Sequence, residues 1–145
     1  MKSKIFAVHT FLILLIASAP MKTLLAESNN LVLVVHKNSQ ITEITKQQAV
    51  HLFFGRVKSL PHTGIIEVID FQPYRSEFYR DLVDRDISEI NAYWARLRFS
   101  GKTRPPRQVF SFQELKNQLE LYNNAISYSP ADLVADELRV VTLIE

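Results

Sequence analysis

Apolar and polar positions along this chain change period several times, and each change marks an element. Leu31 to His36 is a near-continuous apolar run rich in Val and Leu, the pattern of a strand covered on both faces. Lys37-Asn38-Ser39 is turn chemistry. Thr45 stands three residues before Gln48, a capping-box pair, ahead of Ala49, Val50, Leu52, Phe53 and Phe54, with Gly55 as the helix stop. After a turn at 61–64, residues 65–70 predict a buried strand, and Phe71, Gln72 and Pro73 a turn. Residues 74–83 then carry Phe78, Tyr79, Leu82 and Val83 on one side at helical spacing. Asp84-Arg85 breaks that helix. Asp86 with Glu89 caps another, whose Ile87, Ile90, Trp94 and Leu97 form one stripe, an aromatic and aliphatic face of the kind that packs into a core.

Residues 99–107 predict a loop, since Gly101, Pro105 and Pro106 stop a helix there. Between Glu89 and Glu114 there is no acid, while Arg96, Arg98, Lys102, Arg104 and Arg107 are basic; this run is either a solvated face or a surface that meets an anion or a partner. Ser111 with Glu114 predicts a capping box, and Phe110 with Leu115 a hydrophobic staple. Phe112, Leu115, Leu119 and Tyr122 predict the buried stripe of that helix, ended by Asn123-Asn124. Residues 125–129 read as a strand, Ser129-Pro130 as a new helix start with proline first, and 138–143 as a final strand. Strands alternating with helices over this length predict a three-layer α/β/α fold, a mostly parallel sheet with helices on both faces.

Composition narrows the class. The chain has 145 residues, 47% apolar and 22% charged, enough for one globular domain. Lys2 and Lys4 precede an apolar run from Ile5 to Ala17, followed by small residues, which is the pattern of a secretory signal peptide. Two cleavage points compete: Ala17-Ser18-Ala19, where Pro20 would follow the cut, and Leu24-Leu25-Ala26, which leaves Glu27 and a polar lead-in. The division adopted is a signal at 1–26 and one domain at 27–145. Losing residues 1–26 removes three lysines and no acid, leaving 14 basic against 15 acidic residues and a formal charge of −1. The basic balance of the whole chain therefore resides in the signal, and a general role on nucleic acid loses its support. Without cysteine there is neither a disulfide nor a thiol-based site. A periplasmic protein is the expectation.

Candidate chemistry is sparse. His36, His51 and His62 show no metal-ligand spacing, and there is no H-E-x-x-H, no G-x-S-x-G and no glycine-rich phosphate loop. No enzyme, cofactor or metal is expected. The one place that suits a ligand is the strand-turn-helix around Arg75. A helix opening at a sheet edge presents unpaired N–H groups and partial positive charge, and Arg75 in its first turn adds a full one. The alternative is an ordinary α/β joint with Arg75 on the surface.

The motif order completes the reading. LVLVVHKNS followed by TKQQAVHLFFGRVKSL resembles the second-lobe segment of the phosphate-binding subunits of ABC importers. NAYWARLRFSGKTRPPR and NNAISYSPADLV are similar to small exported proteins of that superfamily, in which a YWxRxxFxG motif, a PP pair and an NxAIGYxP strand recur. The resemblance implies a single periplasmic-binding-protein-like lobe without the lobe that supplies the opposite wall of the cleft. It implies a non-enzymatic, solute-binding-like function, with a small phosphate-like oxyanion as ligand and a membrane transporter or sensor as partner. By position, Arg75 and Phe78 match the Arg and Phe of the family's Ser-Gly-Thr-Arg turn, so Gln72, Tyr74, Arg75 and Ser76 are the implied ligand site, with Ser39 across the sheet's edge. Pro73, which has no N–H, and the lost glycine depart from that turn, and Ser127 stands where the strand motif has Gly. The alternative function is a ligand-free module that docks a partner through a face made of Phe71, Tyr74 and the basic loop from Lys102 to Arg107.

Overall fold

The computed structural model describes residues 30–144; the expected signal peptide lies outside them. Among the described residues nine strands and four α-helices follow one another: β1 (Leu31–His36), β2 (Glu43–Thr45), α1 (Lys46–Phe53), β3 (Ser59–Leu60), β4 (Gly64–Ile65), β5 (Glu67–Phe71), α2 (Arg75–Val83), α3 (Ile87–Phe99), β6 (Arg107–Val109), α4 (Phe112–Leu121), β7 (Ala125–Pro130), β8 (Leu138–Val140) and β9 (Thr142–Ile144). The central sheet has the order β6-β5-β7-β1-β8. β5 runs parallel to both β6 and β7, while β1 is antiparallel to both β7 and β8. Four of the five strands thus share a direction, and β1 alone opposes them. β2 pairs with β9, and β3 with β4, as two separate ribbons.

Alternation along the strands assigns the two faces. On β5, Phe71 points to α4, its ring 6.5 Å from Phe112. Asp70, one residue earlier, points the other way, to the side covered by α1, α2 and α3. There Phe78 of α2 stacks on Tyr128 of β7, and Phe53 of α1 lies 4.7 Å from Phe78. Helices cover both faces, as the alternation of elements predicts.

Local signals hold where they are local. Thr45 Oγ1 accepts from Gln48 N, and Gln48 Oε1 accepts from Thr45 N, closing the capping box of α1. Four expectations are corrected. Glu114 does not close a box with Ser111, because its carboxylate reaches one residue further back and accepts from Phe110 N at 2.9 Å. Phe112 is half-buried and Tyr122 exposed, so α4 buries a narrower stripe, Leu115 and Leu119. Pro130 ends β7 rather than opening a helix, since it is still in register opposite Leu31 and Ala131 N bonds Asn30 O, and only one 3₁₀ turn, Ala131–Leu133, follows. The last apolar run is split, because Val141 N bonds Leu33 O and the chain then leaves the central sheet to pair with β2.

Candidate functional site

β5 ends in a 3₁₀ turn, Gln72–Tyr74, with Pro73 in its first positions, where the missing N–H costs nothing. The turn delivers Arg75 to the start of α2 as the sequence predicts. Its side chain does not face solvent, however. Arg75 is only 6% exposed; its Nε donates to Asp70 Oδ2 at 2.8 Å and its Nη1 to Asn91 Oδ1 at 2.8 Å. The guanidinium carbon also lies 5.4 Å from the centre of the Tyr79 ring. The expectation of a free cation at the sheet edge is therefore corrected: a fully buried carboxylate five residues earlier claims it.

Asp70 is the centre of this cluster. It is fully buried, and its Oδ1 accepts from Tyr79 Oη at 3.1 Å and Tyr128 Oη at 3.3 Å, while Oδ2 receives Arg75. Tyr79 Oη also lies 3.3 Å from Phe53 O, tying α1 to the cluster. Burial raises the Asp70 pKa above the ordinary aspartate value, an effect only partly offset by Arg75 and by the tyrosine hydroxyls. Burial likewise pushes Tyr79 and Tyr128 well up, with the Asp70 charge as the second cause, so both hydroxyls stay protonated donors. The pair is formally neutral and its acceptors are engaged. Chemically this is a strut that fixes the β5–α2 joint, and a carboxylate sealed from water is no general base for an external substrate.

The other expected residues are not drawn together around an anion. Gln72 and Tyr74 are half-buried, with the Tyr74 ring 5.4 Å from Phe71, and Ser76 is exposed on the first turn of α2. Ser39 is buried at the other end of the sheet: because β1 runs against β5, the chain leaves it beside the start of β5, and Arg75 follows the end. Ser39 Oγ accepts from Ile41 N at 3.2 Å, a local turn contact. The alternative docking face is divided too. Phe71 is 2% exposed, and residues 102–107 precede β6, whose Arg107 pairs with Ile69, so the basic loop lies toward the start of β5, away from Tyr74. Ser127, where glycine was expected, is buried and donates to Ile69 O at 2.8 Å. Among the described residues no cluster of His, Cys, Asp or Glu is arranged to hold a metal, and no helix is long and apolar enough to cross a membrane.

Sequence reasoning missed Asp70, Tyr79, Tyr128 and Asn91 as members of one network. A signal for the first was present: an acid that closes a buried strand needs a partner.

No family model matches the sequence, and no curated protein does. Solved structures do match. An ABC-type phosphate transport receptor from Vibrio cholerae superposes with a TM-score of 0.61 at 16% identity over 78% of this chain and 45% of its own. A phosphate ABC transporter substrate-binding protein from Clostridium perfringens, with bound phosphate, gives 0.61 at 18% identity over 78% and 44%. PstS from Borrelia burgdorferi gives 0.51 at 15% identity over 78% and 46%. The fold is thus that of part of a phosphate-type substrate-binding protein, and the chain spans less than half the length of each of these.

Proposed function

We propose that a lobe built like part of a phosphate-type substrate-binding protein serves here as a non-enzymatic, exported docking module for a membrane transporter or sensor. The observation that carries this reading is the 2.8 Å contact between Arg75 Nε and Asp70 Oδ2. A single cation can hold a water-exposed oxyanion only if its charge is unspent, and here a buried acid has neutralised it. Structure at the β5–α2 joint is then the residue's purpose, and the lobe acts through its surface. Photocrosslinking from Tyr74 and from Ser76 in cells tests this, with a membrane-protein adduct expected from one of the two. No adduct from either position, together with phosphate binding at the turn, overturns it.

A second reading keeps a weak phosphate-like oxyanion at Gln72, Tyr74, Arg75 and Ser76. It is favoured by the likeness to a structure that holds phosphate, and by Ser76 standing exposed on the first turn of α2. Titrating phosphate and sulfate into wild type and Ser76→Ala, followed by melting temperature, separates the readings. A rise in melting temperature that Ser76→Ala abolishes supports the oxyanion; no rise supports docking.

A further inference from the structure

Positive charge in excess of negative gathers away from the turn. Toward the start of β5 a cavity of about 1000 Å³ opens between the end of α1, the last turn of α3 and the segment 101–107. Lys58, Arg98, Lys102, Arg104 and Arg107 line it, and all five are exposed. Glu67 is the single acid among the lining residues, 3.5 Å from Arg107 in a pair that is about half exposed. The floor is apolar, made by Leu52, Val57, Ile66 and Trp94. Gly55 shapes it: a Cβ there would stand 2.9 Å from Trp94 Cη2 and 3.3 Å from Thr103 Oγ1, so only glycine lets the backbone pass between the indole and the basic loop. Pro105 and Pro106 stiffen that loop.

Five cations against one carboxylate leave four positive charges in excess around one concavity, which raises the local potential and concentrates anions. Any one exposed cation gains little from a single counter-charge, because solvent screens the pair, so a lone phosphate has little to hold it. A ligand that meets several at once is favoured. The volume sits at the upper end of the roughly 300–1,000 Å³ of small-molecule pockets, with room for much more than one tetrahedral oxyanion. The apolar floor, in turn, favours a ligand with a hydrocarbon or aromatic body.

We infer that this cavity binds a small molecule carrying two or more phosphate or carboxylate groups on an apolar or aromatic body. It shares no residue with the 72–76 turn, so it stands or falls independently of the reading above.

Benzene-1,3,5-tricarboxylate, benzoate and inorganic pyrophosphate are the probes, titrated into the purified protein at low salt. Calorimetry and the fluorescence of Trp94, the sole tryptophan, report binding. The tricarboxylate is expected to bind about tenfold or more tighter than benzoate, which has the body but one charge, and tighter than pyrophosphate, which has charge but no body. Raising NaCl to about 0.3 M weakens it several-fold. Arg98→Gln with Arg104→Gln weakens it about tenfold, whereas Lys37→Gln with Arg80→Gln, at exposed sites outside the lining, leaves it unchanged. If the first pair impairs folding, Lys102→Gln alone is read, with a two- to fivefold loss expected, roughly the worth of one exposed pair. No binding of the tricarboxylate, equal affinity for benzoate, or a constant indifferent to the lining cations overturns the inference. So does binding confined to phosphatidylglycerol vesicles, which would make the face a membrane-surface patch.

Discussion

Phe78 lies flat on Tyr128, ring centroids 3.7 Å apart and planes 8° from parallel, and the Tyr128 hydroxyl reaches Asp70 at 3.3 Å. One side chain of β7 thus does two jobs, packing α2 onto the sheet and supplying a donor to the buried acid. The two are separable. Tyr128→Phe keeps the stack and should cost about 1–3 kcal/mol for the acceptor left without that donor. Phe78→Ala removes the stack and should cost about 3–5 kcal/mol. Urea unfolding of both variants checks the order, and a larger loss from Tyr128→Phe would reverse the assignment.

Arg75→Met strands a carboxylate in the core and should cost about 3–5 kcal/mol. Adding Asp70→Asn removes the stranded charge, so the double variant should regain a large part of the loss. A double-mutant cycle measures the coupling. If the two losses simply add, Arg75 and Asp70 are not a unit.

The Asp70 pKa is raised in the folded state, which fixes the sign of a pH effect. The folded protein holds the proton more tightly than the unfolded chain does. The stability this contributes is complete below the ordinary aspartate value and is lost as pH rises through the raised one. Comparing wild type with Asp70→Asn in urea from about pH 3 to pH 7 isolates the contribution of Asp70, since an asparagine cannot titrate. The margin of wild type over the variant should be greatest at the acid end and shrink toward neutrality. A margin that grows with pH would mean that Arg75 and the hydroxyls outweigh burial.

Gly55 has φ +61° and faces Trp94 at a distance no Cβ tolerates. Gly55→Ala should therefore cost more than the about 1–2 kcal/mol of a left-handed alanine alone. It should also shift Trp94 emission as the indole moves. Gly101, at φ +66° with open space around it, is the control: Gly101→Ala should show the backbone cost and no emission shift.

The four α-helices and the longer strands β1, β5 and β7 were legible because their signals are short-range, whereas β2, β3, β4 and β6, two or three residues each, carry no periodicity to read. Thr45 and Gln48, three residues apart, can only meet across a first helical turn, and they do. Pro130 misled because proline is equally at home in the first turn of a helix and as the terminal residue of a strand, and only the ladder to β1 chooses between them. Of the candidate site, the position of Arg75 at the helix start was readable and the state of its charge was not. Asp70 lies five residues earlier and reads as the end of an apolar strand; Tyr128 and Asn91 lie 53 and 16 residues away in sequence.

Periodicity and capping by themselves determined an α/β chain and located its four α-helices and the strands β1, β5 and β7, because each of these signals depends on neighbours within a turn or two. The direction of β1, the end of the sheet where Ser39 emerges, and the partner of Arg75 were decided only by tertiary structure. Each of these depends on which strand lies beside which, and at what register, and on what a buried side chain must meet once water has been excluded.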